Sequence, residues 1–358
     1  MRGGNDMEMN AVLLSGRERL EYIRIEAPAV MPGTVKIKVA VCGICGSDLP
    51  RVFNGAVHQF PLILGHEFSG VVEAVGEGVV NVRPGDHVVA APLIPCGTCK
   101  ACQDGNYALC QGYSFLGSRQ PGAMADYVVV PEANVIGISK NISFKQAATV
   151  EPSTVALHAF LHSGFSSGKS VAILGCGIIG LYAIQWARLL GASKIAVVGR
   201  GEQGLAAGKE LGADILFSTK DYDGENLPDV LSQGFDYVYE CVGAVQTMQL
   251  ALMLVAKKGV VCFIGTPKVP LTFPISVWEQ MNRKECWATG AWMSYSRPFP
   301  GKEWSMTISN MASKRLKLIP GMLHGCYPME EAPKVFRMIR EEAVHGRILL
   351  CNANSALF

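Results

Sequence analysis

The chain has 358 residues, 49% of them hydrophobic and 17% charged, which predicts two folded domains and excludes an extended disordered protein. Lys and Arg total 32 against 30 Asp and Glu, so a net charge of +2 supplies no basic field for nucleic acid or a membrane surface. Twelve cysteines in a chain this long, behind a polar start (residues 1–10) without a signal-peptide core, point to reduced thiols and metal ligation in the cytoplasm.

Over the first 150 residues, β-branched runs at 35–39, 70–75 and 86–90 alternate with Gly, Pro and Asp turns, as in a compact barrel or sandwich. Near Ser170 the rhythm changes. Apolar runs at 171–175, 194–199, 213–218, 235–241 and 259–265, with helices at 178–190 and 246–256, predict a doubly wound parallel sheet. Residues 170–187 carry no charge and reach the lower length for a membrane span. Gly175, Gly177 and Gly180 within them predict a buried strand turning into a buried helix instead. From about Met293 the tail is mixed, and 347–350 reads as a strand returning to the first domain.

The strongest motif is Cys96-x2-Cys99-x2-Cys102-x7-Cys110, four soft ligands at a spacing that suits a closed structural zinc site. Cys45, His66 and Glu151 are looser. Thiolate, imidazole and carboxylate are the ligand types of an open zinc site, yet spacing alone favours a buried thiol, a core histidine and a helix-terminal acid.

Gly175-Cys-Gly-Ile-Ile-Gly180 follows a strand and opens a helix, the context of a dinucleotide fingerprint. The tight turn falls on Gly175, the pyrophosphate approach on Gly177, Ile178 and Ile179, and helix packing on Gly180. The next strand ends in Gly199-Arg200, without the acid that holds a ribose 2′-hydroxyl, which favours NADP over NAD. Gly164-Phe-Ser-Ser-Gly-Lys-Ser170 mimics a phosphate-binding loop, but it precedes a strand and reads as a surface turn.

In this order, Cys45-Gly-Ser-Asp48, Gly65-His-Glu67, the cysteine lobe and the fingerprint resemble the zinc-dependent medium-chain dehydrogenase/reductase superfamily over nearly the whole chain. The resemblance implies an α/β protein: a GroES-like β-rich catalytic domain (1–153 and 293–358, zinc lobe 96–110) interrupted by a Rossmann domain (154–292). It also implies Cys45, His66 and Glu151 as catalytic-zinc ligands, with Glu67 as ligand or neighbour. Ser47 would relay the substrate proton and Asp48 would orient the histidine ligand. The segments 45–51, 65–70, 115–119 and 290–304 resemble the polyol-phosphate, galactitol-1-phosphate-like branch, whose NAD-linked members carry Asp where this chain has Gly199.

The expected activity is a zinc-dependent hydride transfer between a secondary alcohol of a polyol or polyol phosphate and NAD(P), giving a ketose or ketose phosphate. Two Zn²⁺ per chain, a cleft between the domains and a homo-oligomer (dimer or tetramer) belong to that expectation, with no nucleic-acid or membrane partner. Arg51, Arg119 and Arg297 are candidate phosphate ligands. Phe115, Trp292 and Tyr295 are candidate polyol contacts, and Arg347 is a candidate neighbour of the cofactor pyrophosphate. An unphosphorylated, sorbitol-like substrate and a catalytically silent cofactor-binding relative are the alternatives.

Overall fold

Strand β1 (Thr34–Gly43) mixes Val, Ile and Lys and then turns wholly apolar, and every residue from Val39 to Gly43 is buried. After it the chain crosses Cys45 into a short helix, α1 (Asp48–Asn54), and returns as β2 (Glu67–Val75), antiparallel to β1. Strand β3 (His87–Ala90) extends the sheet beyond β2, while Tyr127–Pro131 takes the far edge of β1 along Thr34–Lys38. Ile37, Val39, Leu64, Phe68, Val88 and Met124 belong to one buried cluster behind this sheet. At about 1.5–3 kcal/mol per fully buried large apolar side chain, that cluster is what holds the site residues on a fixed frame. Helix α2 (Val150–His162) follows, with Glu151 in its first turn.

A second set of strands is parallel throughout: β4 (Ser170–Leu174), β5 (Lys194–Gly199), β6 (Ile215–Ser218), β7 (Phe235–Glu240), β8 (Val255–Phe263) and β9 (Trp287–Gly290). They lie in the order β6-β5-β4-β7-β8-β9, so the direction of winding reverses at β4. Helices α3 (Ile178–Leu189), α4 (Glu202–Glu210) and α5 (Val245–Leu254) connect them. Ser-Val-Ala-Ile-Leu in β4 and Lys-Ile-Ala-Val-Val-Gly in β5 are buried apart from their first residues, as a sheet covered on both faces requires.

Toward the β8–β9 end of the sheet, one helix boundary shifts and one strand lies outside the predicted runs. The helix expected over 246–256 stops at Leu254, because Val255 joins the ladder opposite Phe235 and starts β8 four residues earlier than its apolar run suggests. Strand β9 carried no buried-run signal, since it sits at the sheet edge with Trp287 74% exposed. Residues 170–187 divide into strand, turn and helix, and among the described residues no helix is long and apolar enough to cross a membrane.

The tail forms β10 (Leu323–Pro328) and β11 (Arg347–Cys351), parallel to each other. Strand β11 lies antiparallel on β1, with Leu349 opposite Gly43, so the last strand completes the first sheet. The computed structural model describes residues 8–221, 229–342 and 344–352. Within them the chain divides into two compact units: residues up to 151, 295–317 and from 323 onward form one, and 152–294 with 318–322 form the other.

Candidate active site

The turn after β1 is organised by Asp48, which is fully buried. Its Oδ2 accepts the Cys45 N–H at 3.0 Å, and its Oδ1 accepts from Arg51 Nη1 at 2.9 Å. The same Nη1 donates to Ser47 Oγ, also at 2.9 Å. In the loop just before β2, Gly65 has φ +96°, and a Cβ there would stand 2.6 Å from Cys42 Sγ and 2.9 Å from the Met124 nitrogen. Only glycine lets the backbone pass there and turn His66 and Glu67 inward.

Ligand atoms of Cys45, His66 and Glu67 lie within 4.8 Å of one another. His66 Nδ1 and Glu67 Oε2 are buried without a hydrogen-bond partner. Nδ1 is 3.9 Å from Asp48 Oδ1, too far for a hydrogen bond. Glu67 Oε1 pairs with Arg347 Nη2 at 3.2 Å, and the Phe115 ring meets the His66 ring edge-on at 5.4 Å. Burial, reinforced by Glu67, pushes the Cys45 thiol up to about 11 and the Glu151 carboxyl up to about 8. A thiol and three carboxyl groups drawn together around orphaned polar atoms suit a divalent cation, which relieves both the repulsion and the lost hydration.

The compact donor set therefore differs from the expected triad. Glu67 supplies its third ligand atom, and Glu151 stands outside the 4.8 Å group while still acting on it electrostatically.

In the lobe, the sulfurs of Cys96, Cys99, Cys102 and Cys110 also lie within 4.8 Å of one another. Cys99 N–H donates to Cys96 Sγ at 3.4 Å and Cys96 N–H to Cys110 Sγ at 3.3 Å. Backbone N–H groups of Thr98 and Cys99 draw the Cys96 thiol down to about 6, whereas burial drives Cys102 up to about 12. Four thiols at this distance with main-chain donors aimed at the sulfurs fit a tetrahedral thiophilic cation.

The expected substrate contacts scatter. Arg51 is largely covered, with its guanidinium committed to Ser47 and Asp48. Arg119 is exposed, 4.4 Å over the Tyr113 ring. Arg297 packs on Gly105 of the cysteine lobe and reaches the Gln103 carbonyl at 3.4 Å. Tyr295 is buried rather than open to a polyol, its hydroxyl accepting the Leu93 N–H at 3.1 Å. Trp292 belongs to the other unit and is 53% exposed. Arg347, expected beside a pyrophosphate, is buried, donating to the Ile44 carbonyl and pairing with Glu67. Its position follows from β11 lying on β1, a pairing invisible in local sequence.

In the parallel-sheet unit the glycine loop sits at the carboxyl end of β4, where the strand order reverses. Gly175 takes φ +114°, and a Cβ on Gly180 would stand 1.9 Å from the Gly175 oxygen. A Cβ on Gly177 would meet nothing within 4 Å, and no side chain caps the N-terminus of α3. The unfilled space and the uncapped helix dipole form a cradle that fits a pyrophosphate. Gly199 is buried at the end of β5, and Arg200 beside it is exposed.

Comparison with known proteins agrees with this geometry. Residues 31–140 match the alcohol dehydrogenase GroES-like domain, and residues 179–311 match the zinc-binding dehydrogenase family. Galactitol 1-phosphate 5-dehydrogenase of Escherichia coli strain K12 is 37% identical over 319 residues, covering 88% of this chain and 92% of that protein. The chain belongs to the zinc-dependent medium-chain dehydrogenase/reductase superfamily. A crystal structure of galactitol-1-phosphate dehydrogenase from Escherichia coli superposes on this medium-chain dehydrogenase with TM-score 0.89 and 34% identity, covering 96% and 100% of the two chains. A putative zinc-binding dehydrogenase from Sinorhizobium meliloti 1021, bound to NADP, superposes with TM-score 0.88 and 28% identity, covering 96% and 99%.

One residue of this medium-chain dehydrogenase escaped sequence reasoning. Glu240, fully buried at the end of β7, accepts the N–H groups of Val242 and Gly243 at 2.9 Å and the Thr247 hydroxyl at 2.7 Å. It thereby fixes Val242, whose Cγ2 would stand 2.8 Å from a Cβ on Gly175. An acid closing the apolar, aromatic stretch Tyr237–Tyr239 was the available signal.

Proposed function

We infer that this zinc-type dehydrogenase oxidises a secondary alcohol of a polyol phosphate resembling galactitol 1-phosphate to the ketose phosphate, with NADP preferred over NAD. The observation that carries the reading is the Cys45–His66–Glu67 cluster, whose ligand atoms lie within 4.8 Å of one another, next to a hydroxyl already supplied with a donor. Cys45, His66 and Glu67 would hold the catalytic zinc, with Glu151 coupled to Glu67 electrostatically, and the four lobe cysteines would hold a structural zinc. When bound, the zinc supplies Lewis-acid polarisation of an alcohol oxygen and the nicotinamide supplies the hydride acceptor.

The chain's own residues do the rest. Arg51 donates into Ser47 Oγ, which occupies one lone pair and leaves the Ser47 hydrogen free to be donated elsewhere. The other lone pair stays available for the alcohol proton, and the exposed Ser47 hydroxyl passes its own proton on toward solvent. Asp48 holds the Cys45 backbone and stands beside His66, so the two donors keep a fixed separation. Phe115 shields one side of the His66 ring. Gly175 to Gly180 would seat the cofactor pyrophosphate, and Arg200 its 2′-phosphate.

One observation favours an unphosphorylated sugar alcohol as second reading: the guanidinium of Arg51 is engaged by Ser47 and Asp48. Initial rates of nicotinamide reduction with galactitol 1-phosphate and with sorbitol, each with NAD and NADP, decide between them. Turnover of the phosphate with NADP is expected, and turnover of sorbitol alone overturns the phosphate reading. A cytoplasmic homo-oligomer is part of the proposal, supported by twelve free cysteines and by the exposed edge strand β9, and sedimentation of the purified protein tests the assembly.

A further inference from the structure

One thiol in the parallel-sheet unit sits where three elements of the glycine loop region meet. Cys176 is the second residue of the loop, Gly199 closes β5, and Gly204 lies in the first turn of α4. A Cβ on Gly199 would stand 2.3 Å from Cys176 Sγ and 3.4 Å from Cys176 Cβ. A Cβ on Gly204 would stand 2.6 Å from Cys176 Cβ. The thiol is thus wedged between two glycines, with a single rotatable bond and glycine Cα atoms on both sides. Burial pushes it up to about 12, so it is a small neutral filler at neutral pH rather than a nucleophile.

Position 199 is where a fingerprint of this kind presents the acid that binds a ribose 2′-hydroxyl. We propose that Cys176 is a specificity-determining residue for the cofactor: its sulfur occupies the space of a side chain at 199, so the loop admits only glycine there and leaves the ribose 2′ end to Arg200. The inference rests on reading Gly199-Arg200 as an NADP site. It adds that the preference is built from two positions. A carboxylate introduced at 199 meets the sulfur first, and the chain accepts an NAD-type acid only once Cys176 is reduced to a methyl group.

The test uses the full-length, zinc-loaded protein, with NADH and NADPH binding followed by nicotinamide fluorescence and with thermal melting as a readout independent of turnover. Wild type is compared with Cys176→Ala, Gly199→Asp, Gly199→Ala and the two double variants. The overpacked Gly199→Asp and Gly199→Ala proteins should melt roughly 3–8 °C lower, and Cys176→Ala should restore most of that loss. Gly199→Asp alone should weaken both nucleotides, whereas Cys176→Ala/Gly199→Asp should bind NADH at least tenfold more tightly than wild type. Cys176→Ala alone should keep the NADPH preference. Should Gly199→Asp fail to fold, the Gly199→Ala melts still read the wedge.

Gly199→Asp melting like wild type and switching preference by itself overturns the role of Cys176 and leaves the NADP reading intact. A wild-type protein that binds NADH more tightly than NADPH overturns the NADP reading, and the proposal with it.

Discussion

Arg347 and Glu67 face each other at 3.2 Å with 8% and 1% of their side chains exposed, joining the last strand of the chain to the start of β2. Breaking a buried pair by removing one partner typically costs about 3–5 kcal/mol, because the other charge is left uncompensated. Arg347→Met is therefore expected to destabilise the chelated protein by about that much, and the zinc-loaded protein by less, since a cation at Glu67 offsets the lost guanidinium. Thermal melting with and without chelator checks both. Equal losses in the two forms would separate Glu67 from the metal.

The two sulfur-bearing clusters should lose zinc independently. Cys102→Ser is expected to reduce bound zinc from two ions per chain to one while the Cys45 site stays loaded, and Cys45→Ser should do the reverse. Metal analysis by mass spectrometry on the dialysed proteins reads the stoichiometry. Activity should vanish with Cys45→Ser, and a chain that holds one ion before any mutation would contradict the two-site assignment.

Arg51 separates the two substrate readings. As a brace for Ser47 and Asp48, its removal in Arg51→Ala lowers kcat alike for a phosphorylated and an unphosphorylated polyol. As a phosphate ligand, it raises KM for the phosphorylated one alone. Ser47→Ala should lower kcat by roughly 10²–10⁴ with either substrate, the range of a lost proton-transfer group. Steady-state kinetics on the three proteins distinguish these outcomes.

The chelated protein should be less stable at neutral pH than in mild acid. Burial, then Glu67, raises the Glu151 carboxyl to about 8 in the folded chain, above its value of 4.5 in the unfolded one. The folded state then holds the extra proton, so its contribution is complete below about pH 4.5 and is lost as pH climbs through about 8. Glu151→Gln, which stays neutral, should flatten that slope in denaturation of the metal-free protein from pH 5 to 8.5. Zinc uptake should follow the opposite course and strengthen with pH, because its ligands must shed protons first.

The sequence by itself determined what depends on near neighbours. Cysteine spacing in the lobe, the strand–glycine–helix order at Gly175, the glycine–arginine pair ending β5 and the switch from an antiparallel to a parallel rhythm were all legible. Turn geometry and side-chain period are set within a few residues. Tertiary structure decided which distant groups share a volume. Arg347 meets Ile44 across 303 residues because β11 pairs with β1, and that register draws it to Glu67. Glu67 enters the compact donor set ahead of Glu151, Arg51 turns onto Ser47, and Cys176 closes over Gly199. Each is fixed by strand pairing and rotamer packing, which spacing along the chain does not encode.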